Sequence, residues 1–196
     1  MINYPKYGKP FEAGKFYHIY NRAVGKERLF ISDDNYHFFL RKFRSSMGSV
    51  ISVYAYCLLS NHFHFLIKIN DSTCHEEISE RFRRFFISYS KSFNSVFNRK
   101  GSLFEKHLKR VAIDSDQQLL WTVYYIHRNP VHHRVTENYH SYKWSSLPVI
   151  LSDKKTKLER DGALELFGGK ESFLSFHDNN IEEDKLIKQI GFREDL

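Results

Sequence analysis

Residues 15–23 alternate Phe16, His18 and Tyr20 with Tyr17, Ile19 and Asn21. That period of two predicts a strand, with Gly25 just beyond its end. Tyr36, Phe39, Leu40 and Phe43 then recur at helical spacing, so a helix is expected from a cap at Ser32 or Asp33 to about Ser46. Residues 50–59 return to period two, placing Ile51, Val53, Ala55, Cys57 and Leu59 on one face. Ser60-Asn61 reads as a tight turn into a strand over 62–69, and two strands joined so closely make an antiparallel hairpin. Residues 72–98 carry a long helical pattern with one expected break. Its stripe is Ile78, Phe82, Phe85, Tyr89, Phe93 and Val96, opposite Arg81, Arg84, Ser88, Lys91 and Ser95. The basic side is either a solvated face or a phosphate track.

Residues 103–113 fit an edge strand, and 116 to about 128 a helix that Asn129-Pro130 should end. Residues 132–148 read as loop. A polar linker at 152–157 precedes two short helical patterns, 160–167 and 170–176, and a charged tail expected to fray. Residues 1–14 read as an irregular lead-in. The order of elements predicts an α+β layer, with residues 1–150 as one domain and 151–196 as a helical extension.

Within this pattern, His62 and His64 share one strand face, with Phe63 and Phe65 on the other. Two neutral imidazoles so placed can hold a divalent metal, or they are ordinary sheet surface or a hydrogen-bonded core pair. On the helix over 116–129, Leu119, Leu120, Val123 and Ile126 lie within about 120° of arc. Gln118, Thr122, Tyr125 and Asn129 lie opposite, so Tyr125 is expected to face outward with Asn129 one turn beyond it. A phenol can be a covalent nucleophile and a carboxamide oxygen a metal ligand. Alternatively, Tyr125 is a surface tyrosine and Asn129 a helix-end residue. His127, His132 and His133 compete as metal ligands, but close to the expected helix end and without strand pairing they read first as surface or phosphate-contacting residues.

Charge adds a class of partner. The net charge is +7, but residues 1–150 carry +10 and residues 151–196 carry −3. A basic body suits a polyanion, nucleic acid foremost. The 16% aromatic content serves packing and also the stacking of unpaired bases. Cys57 and Cys74 form no disulfide framework or cysteine-based zinc motif. No signal pattern or membrane-length apolar run is present in the sequence, so a reducing cytoplasm and no membrane are expected.

Four motifs carry a resemblance. Ser60-Asn61-His62-Phe63-His64 resembles the histidine–hydrophobe–histidine motif of single-tyrosine HUH transposases. Tyr125-Ile126-His127-Arg128-Asn129-Pro130-Val131, followed by Tyr142-Lys143-Trp144-Ser145-Ser146, is similar to the REP-associated tyrosine transposase branch. Tyr17-His18-Ile19-Tyr20-Asn21-Arg22 resembles that family's first strand, and the stretch from Phe97 to Phe104 its basic turn. The resemblance spans residues 15–148. It implies a ferredoxin-like antiparallel sheet with packed helices. It also implies cleavage and rejoining of single-stranded DNA near imperfect hairpins, through a 5′-phosphotyrosine intermediate on Tyr125.

By the same resemblance His62, His64 and Asn129 would hold Mg²⁺ or Mn²⁺. Phosphate contacts would come from Arg22, Arg81, Arg84, Lys91, Arg99, Lys100, Lys109 and Arg110. Val131-His132 departs from the family's Val-Arg. The enzyme would work as a monomer or homodimer on single-stranded or hairpin DNA. The competing readings are a catalytically silent hairpin-binding regulator, a relaxase-type nickase and a small-molecule phosphoesterase.

Overall fold

The computed structural model describes residues 9–179 and 181–191. The start of the expected lead-in and the tail after residue 191 lie outside the described residues. Strands β1 (Phe16–Arg22), β2 (Ile51–Leu59), β3 (His62–Ile69) and β4 (Lys109–Ala112) form one antiparallel sheet in the order β2-β3-β1-β4. Helices α1 (Asp33–Met47) and α2 (His75–Val96) alternate with the strands, giving the expected ferredoxin-like arrangement. They cover one face of the sheet, while α3 (Asp116–His132) covers the other.

The first face is aromatic. Ser32 caps α1, with Asn35 Oδ1 reaching back to the backbone N–H groups of Ser32 and Ile31 at 3.3 and 3.2 Å. Phe39, Phe43 and Met47 then repeat every four residues and are buried. The Phe43 ring stacks on Phe65 at 4.3 Å and meets Phe85 of α2 edge-on at 5.4 Å. The α2 stripe is buried from Ile78 to Phe93 as expected, but the helix runs unbroken and Val96 is exposed.

The β2 pattern departs from strict alternation. The register with β3 shifts between Val53 and Ala55, so Tyr54 is an extra residue in the ladder. Ile51, Val53, Tyr56 and Leu58 therefore join the aromatic core, whereas Ala55, Cys57 and Leu59 face α3. The expectation of one shared face for Ile51 through Leu59 fails at that bulge.

Helix α3 also runs longer than expected. Pro130 sits inside it, in the last turn, where a missing N–H forfeits one bond and no following turn has to be rebuilt. The helix closes three residues later. The N–H of Val135 donates to the Pro130 carbonyl at 2.7 Å and that of Arg134 to Val131 at 2.9 Å. This pair of bonds is a Schellman closure, with Arg134 at φ 55° in the place glycine prefers.

Residues expected to be loop are partly ordered against β2. A 3₁₀ turn at Tyr139–Ser141 leads to a short bridge in which Leu58 N–H donates to Trp144 O and Ser146 N–H to Tyr56 O, both at 2.9 Å. Then follow α4 (Leu147–Leu151), α5 (Arg160–Glu165), α6 (Lys170–His177) and α7 (Glu183–Ile190). Residues 183–190 are thus helical where fraying was expected. Leu186 and Ile190 are buried in the α3 core, and Gln118 Nε2 donates to Ile190 O at 2.8 Å. No described helix is long and apolar enough to cross a membrane.

Candidate metal and tyrosine site

The sheet face under α3 carries a row of rings. Tyr20 of β1 pairs with His64 of β3, and Arg22 with His62. His18, one step along β1, lies stacked against both Tyr20 and His64, with ring centroids 5.1 and 5.3 Å apart. His18 and His64 are fully buried, and His18 Nε2 lies 3.1 Å from His64 Nδ1. His62 Nδ1 lies 2.7 Å from Asn61 Oδ1. A carboxamide oxygen only accepts, so this contact puts the His62 proton on Nδ1 and the lone pair of the ring on Nε2.

Helix α3 brings its own stripe to this row. Tyr125 is buried, not outward-facing, and its ring stands edge-on to His18 and to His64, 6.0 Å from each. Thr122 and Asn129 are buried on the same side. The helical wheel groups these residues correctly but misjudges their exposure. Here α3 is sandwiched between the sheet and α6–α7, so both its stripes are covered. Asn129 Nδ2 donates to the Tyr125 carbonyl at 3.0 Å, which orients the carboxamide. Its Oδ1, fully buried, has no hydrogen-bond partner among the described residues. An acceptor left so is costly unless something occupies it, and a cation fits that need.

A third imidazole stands beside the pair. His62, His64 and His133 place ligand nitrogens within 4.8 Å of one another, and the His133 ring is 4.3 Å from His62. His133, which the sequence pattern leaves between a metal ligand and a surface or phosphate-contacting residue, is half-buried beside the histidine pair. Its spacing of four from Asn129 and eight from Tyr125 is the signal the sequence holds, and the expected stop at Pro130 hides it. His132 sits beside Tyr125, ring to ring at 6.2 Å.

The basic residues separate into groups. Arg22 and Lys109 rim the cleft beside His62 and His133, with Glu105 between them, 3.4 Å from Arg22 and 4.0 Å from Lys109. Lys26 and Arg28, outside the expected set, line the same cleft. Arg99 braces its own turn, donating to Asn94, Gly101 and Ser102 and pairing with Glu27. Arg110 lies over Phe11 and donates to Lys9 O, and burial lowers its pKa from the usual guanidinium value. Arg81 pairs with Glu77 and Arg84 with Glu80 on α2, across the sheet from Tyr125. Lys91 and Lys100 are exposed on that helix and the turn after it.

Behind α3 lies a second buried polar group. His127 Nδ1 is 2.8 Å from His177 Nε2 of α6, and His127 Nε2 is 2.7 Å from Ser146 Oγ. His177 Nδ1 meets the Phe173 carbonyl at 2.8 Å. A carbonyl only accepts, so one direction satisfies every atom: His177 Nδ1–H to Phe173, His127 Nδ1–H to His177, and the serine hydroxyl to His127. Both rings are then neutral. Burial pushes the His177 pKa down to about 4 and that of His127 well below the usual imidazole value. His127 is therefore a buried brace, not a surface residue.

No protein-family model and no curated protein matches the chain. Solved structures do match in fold. One is a REP-associated tyrosine transposase bound to a REP hairpin, 15% identical, with a TM-score of 0.63, covering 76% of this chain and 86% of that one. That likeness shows a shared fold, which in this chain is α+β with a four-stranded antiparallel sheet carrying a buried tyrosine and a histidine cluster on one face.

Proposed function

We propose that the protein is a metal-dependent DNA endonuclease and transesterase that acts on single strands beside hairpins and forms a 5′-phosphotyrosine on Tyr125. The observation that carries this reading is the position of the Tyr125 ring, edge-on to His64 of its own chain with Asn129 one turn further along. In this reading the Tyr125 oxygen attacks a phosphodiester phosphorus. The bond to the 3′ oxygen breaks as the phenol loses its proton and the departing strand end gains one. The resulting ester keeps the energy of the bond it replaced, so a 3′-hydroxyl can reverse the step. Burial of the ring keeps water from the ester. His62, His64 and Asn129 would hold Mg²⁺ or Mn²⁺, which when bound would supply positive charge to the phosphate. Arg22 and Lys109 hold the strand at the cleft rim. One chain carries all these groups, so a monomer suffices. Residues 1–150 supply the chemistry, and α6 and α7 brace the outer side of α3. Free Cys57 and Cys74 suit a reducing cytoplasm.

The test is a denaturing gel of the protein with labelled hairpin-bearing single-stranded DNA and Mn²⁺. A covalent adduct is expected from wild type and none from Tyr125→Phe. An adduct that survives Tyr125→Phe, or vanishes in Tyr124→Phe instead, overturns the assignment. The near-complete burial of Tyr125 favours one alternative, a hairpin-binding regulator without cleavage. Hairpin binding with no adduct under any divalent metal would establish it.

A further inference from the structure

We propose that His133 is a third imidazole ligand, and that the site therefore takes a borderline cation such as Co²⁺ or Zn²⁺ ahead of Mn²⁺, with Mg²⁺ weakest. This deepens the function proposed above and rests on it for the use of the site, while the ligand set stands on geometry alone. His62, His64 and His133 converge from β3 and from the end of α3, with ligand nitrogens within 4.8 Å. The group contains no carboxylate. Glu27, the carboxylate that lines this cleft, pairs with Arg99 at 3.2 Å, and Glu105 pairs with Arg22 and Lys109.

Mg²⁺ is bound through carboxylate and phosphate oxygens and keeps much of its water. Neutral imidazoles favour the later divalent metals, and the common affinity order places Mn²⁺ at the weak end. Three histidines with a position left over for an oxygen is the layout of a catalytic zinc-type site. The remaining position falls to Asn129 Oδ1 or to a phosphate oxygen. The ligands themselves are held in place. Asn61 fixes the tautomer of His62, and His18 Nε2 stands where it can accept from His64 Nδ1, turning the His64 Nε2 lone pair outward. The Schellman closure at Arg134 fixes the backbone next to His133.

The experiment uses the full chain stripped of metal. Co²⁺ should bind one per chain with visible absorption, and Zn²⁺ should displace it. Mn²⁺ should displace it only partly, and a ~100-fold excess of Mg²⁺ should not. His133→Ala should weaken Co²⁺ binding by roughly 10–100-fold, while His37→Ala, an exposed histidine elsewhere, leaves it unchanged. X-ray absorption of the Zn²⁺-loaded wild type should count three imidazoles, which decides the matter even if His133→Ala does not fold. Two imidazoles, an unchanged His133→Ala affinity, or Mg²⁺ competing as well as Mn²⁺ would each overturn the proposal. Tight Co²⁺ binding without any DNA adduct would instead remove the proposed function and leave this site standing. An adduct formed by a chain whose metal affinity ignores His133→Ala would do the reverse.

Discussion

Towards α1 and α2 the sheet presents Ile19, Phe63, Phe65 and Ile67; towards α3 it presents His18, His64 and Cys57. Both faces are buried. The first is closed by rings packed on rings, such as Phe43 on Phe65. The second keeps His18, His64, Thr122, His127, Asn129, Ser145, Ser146 and His177 out of water. Each such group forgoes hydration and returns little unless paired, whereas each buried aromatic contributes ~1.5–3 kcal/mol. The first face therefore gains from nearly every group it buries, while the second, though it too buries an apolar cluster around Val123 and Ile126, gives up part of that gain to placing polar atoms. Of these polar groups, His18, His64 and Asn129 lie at the proposed site, and His127, Ser146 and His177 form the brace behind it.

The largest break of this contrast is Phe43→Ala. Loss of a buried ring should cost about 3–5 kcal/mol in a urea melt, while the folded variant still binds Co²⁺ as wild type does. Acid should act on the opposite face. The unfolded chain protonates His177 near pH 6.5, but the folded chain holds it neutral to about pH 4. Below 6.5 the unfolded state binds more protons, so stability falls with pH through that window, by on the order of 3 kcal/mol at its lower end. His127 adds in the same direction. Melts at pH 7 and pH 4.5 measure this, and the difference should shrink in His127→Leu/His177→Leu. A pH-independent melting temperature would show that the brace is not neutral as drawn.

Single replacements within that brace should cost less. His177→Leu leaves the His127 Nδ1–H unsatisfied and should lose about 1–3 kcal/mol. The double leucine variant should recover part of that loss, which a double-mutant cycle reads directly. The smallest expected effect is a gain. Arg134→Gly removes the left-handed strain at φ 55° and should stabilise by about 0.5–1 kcal/mol.

The ferredoxin-like arrangement came from the resemblance, while the strands, the hairpin of 50–59 with 62–69 and the aromatic stripes were legible because alternation and helical spacing map directly onto a face buried once. The His62–His64 pair was legible for the same reason. The burial of Tyr125 was not, because a helical wheel presumes one covered stripe, whereas here the Tyr125 stripe meets His18 and His64 of the sheet while α6 covers Trp121 and Tyr124. The bulge at Tyr54 looks like any strand aromatic in the sequence. The place of His133 was hidden by Pro130, whose usual meaning as a stop is relaxed within a last turn. Arg99 and Arg110 carried the charge expected of phosphate contacts, yet their guanidinium groups are used to tie down backbone.

The steps of four residues from Tyr125 to Asn129 to His133 also set how the chain tolerates changes of length. Each residue added to a helix rotates the downstream side chains by about 100°. One residue inserted between Tyr125 and Asn129 would swing the carboxamide and His133 off the sheet and leave the tyrosine in place. The same insertion in the loop between β4 and Ser115 would be absorbed before α3 begins. In a pool of single-residue insertions, survivors that keep metal binding should therefore cluster ahead of Ser115 and after Thr136, with an empty interval along α3 between them.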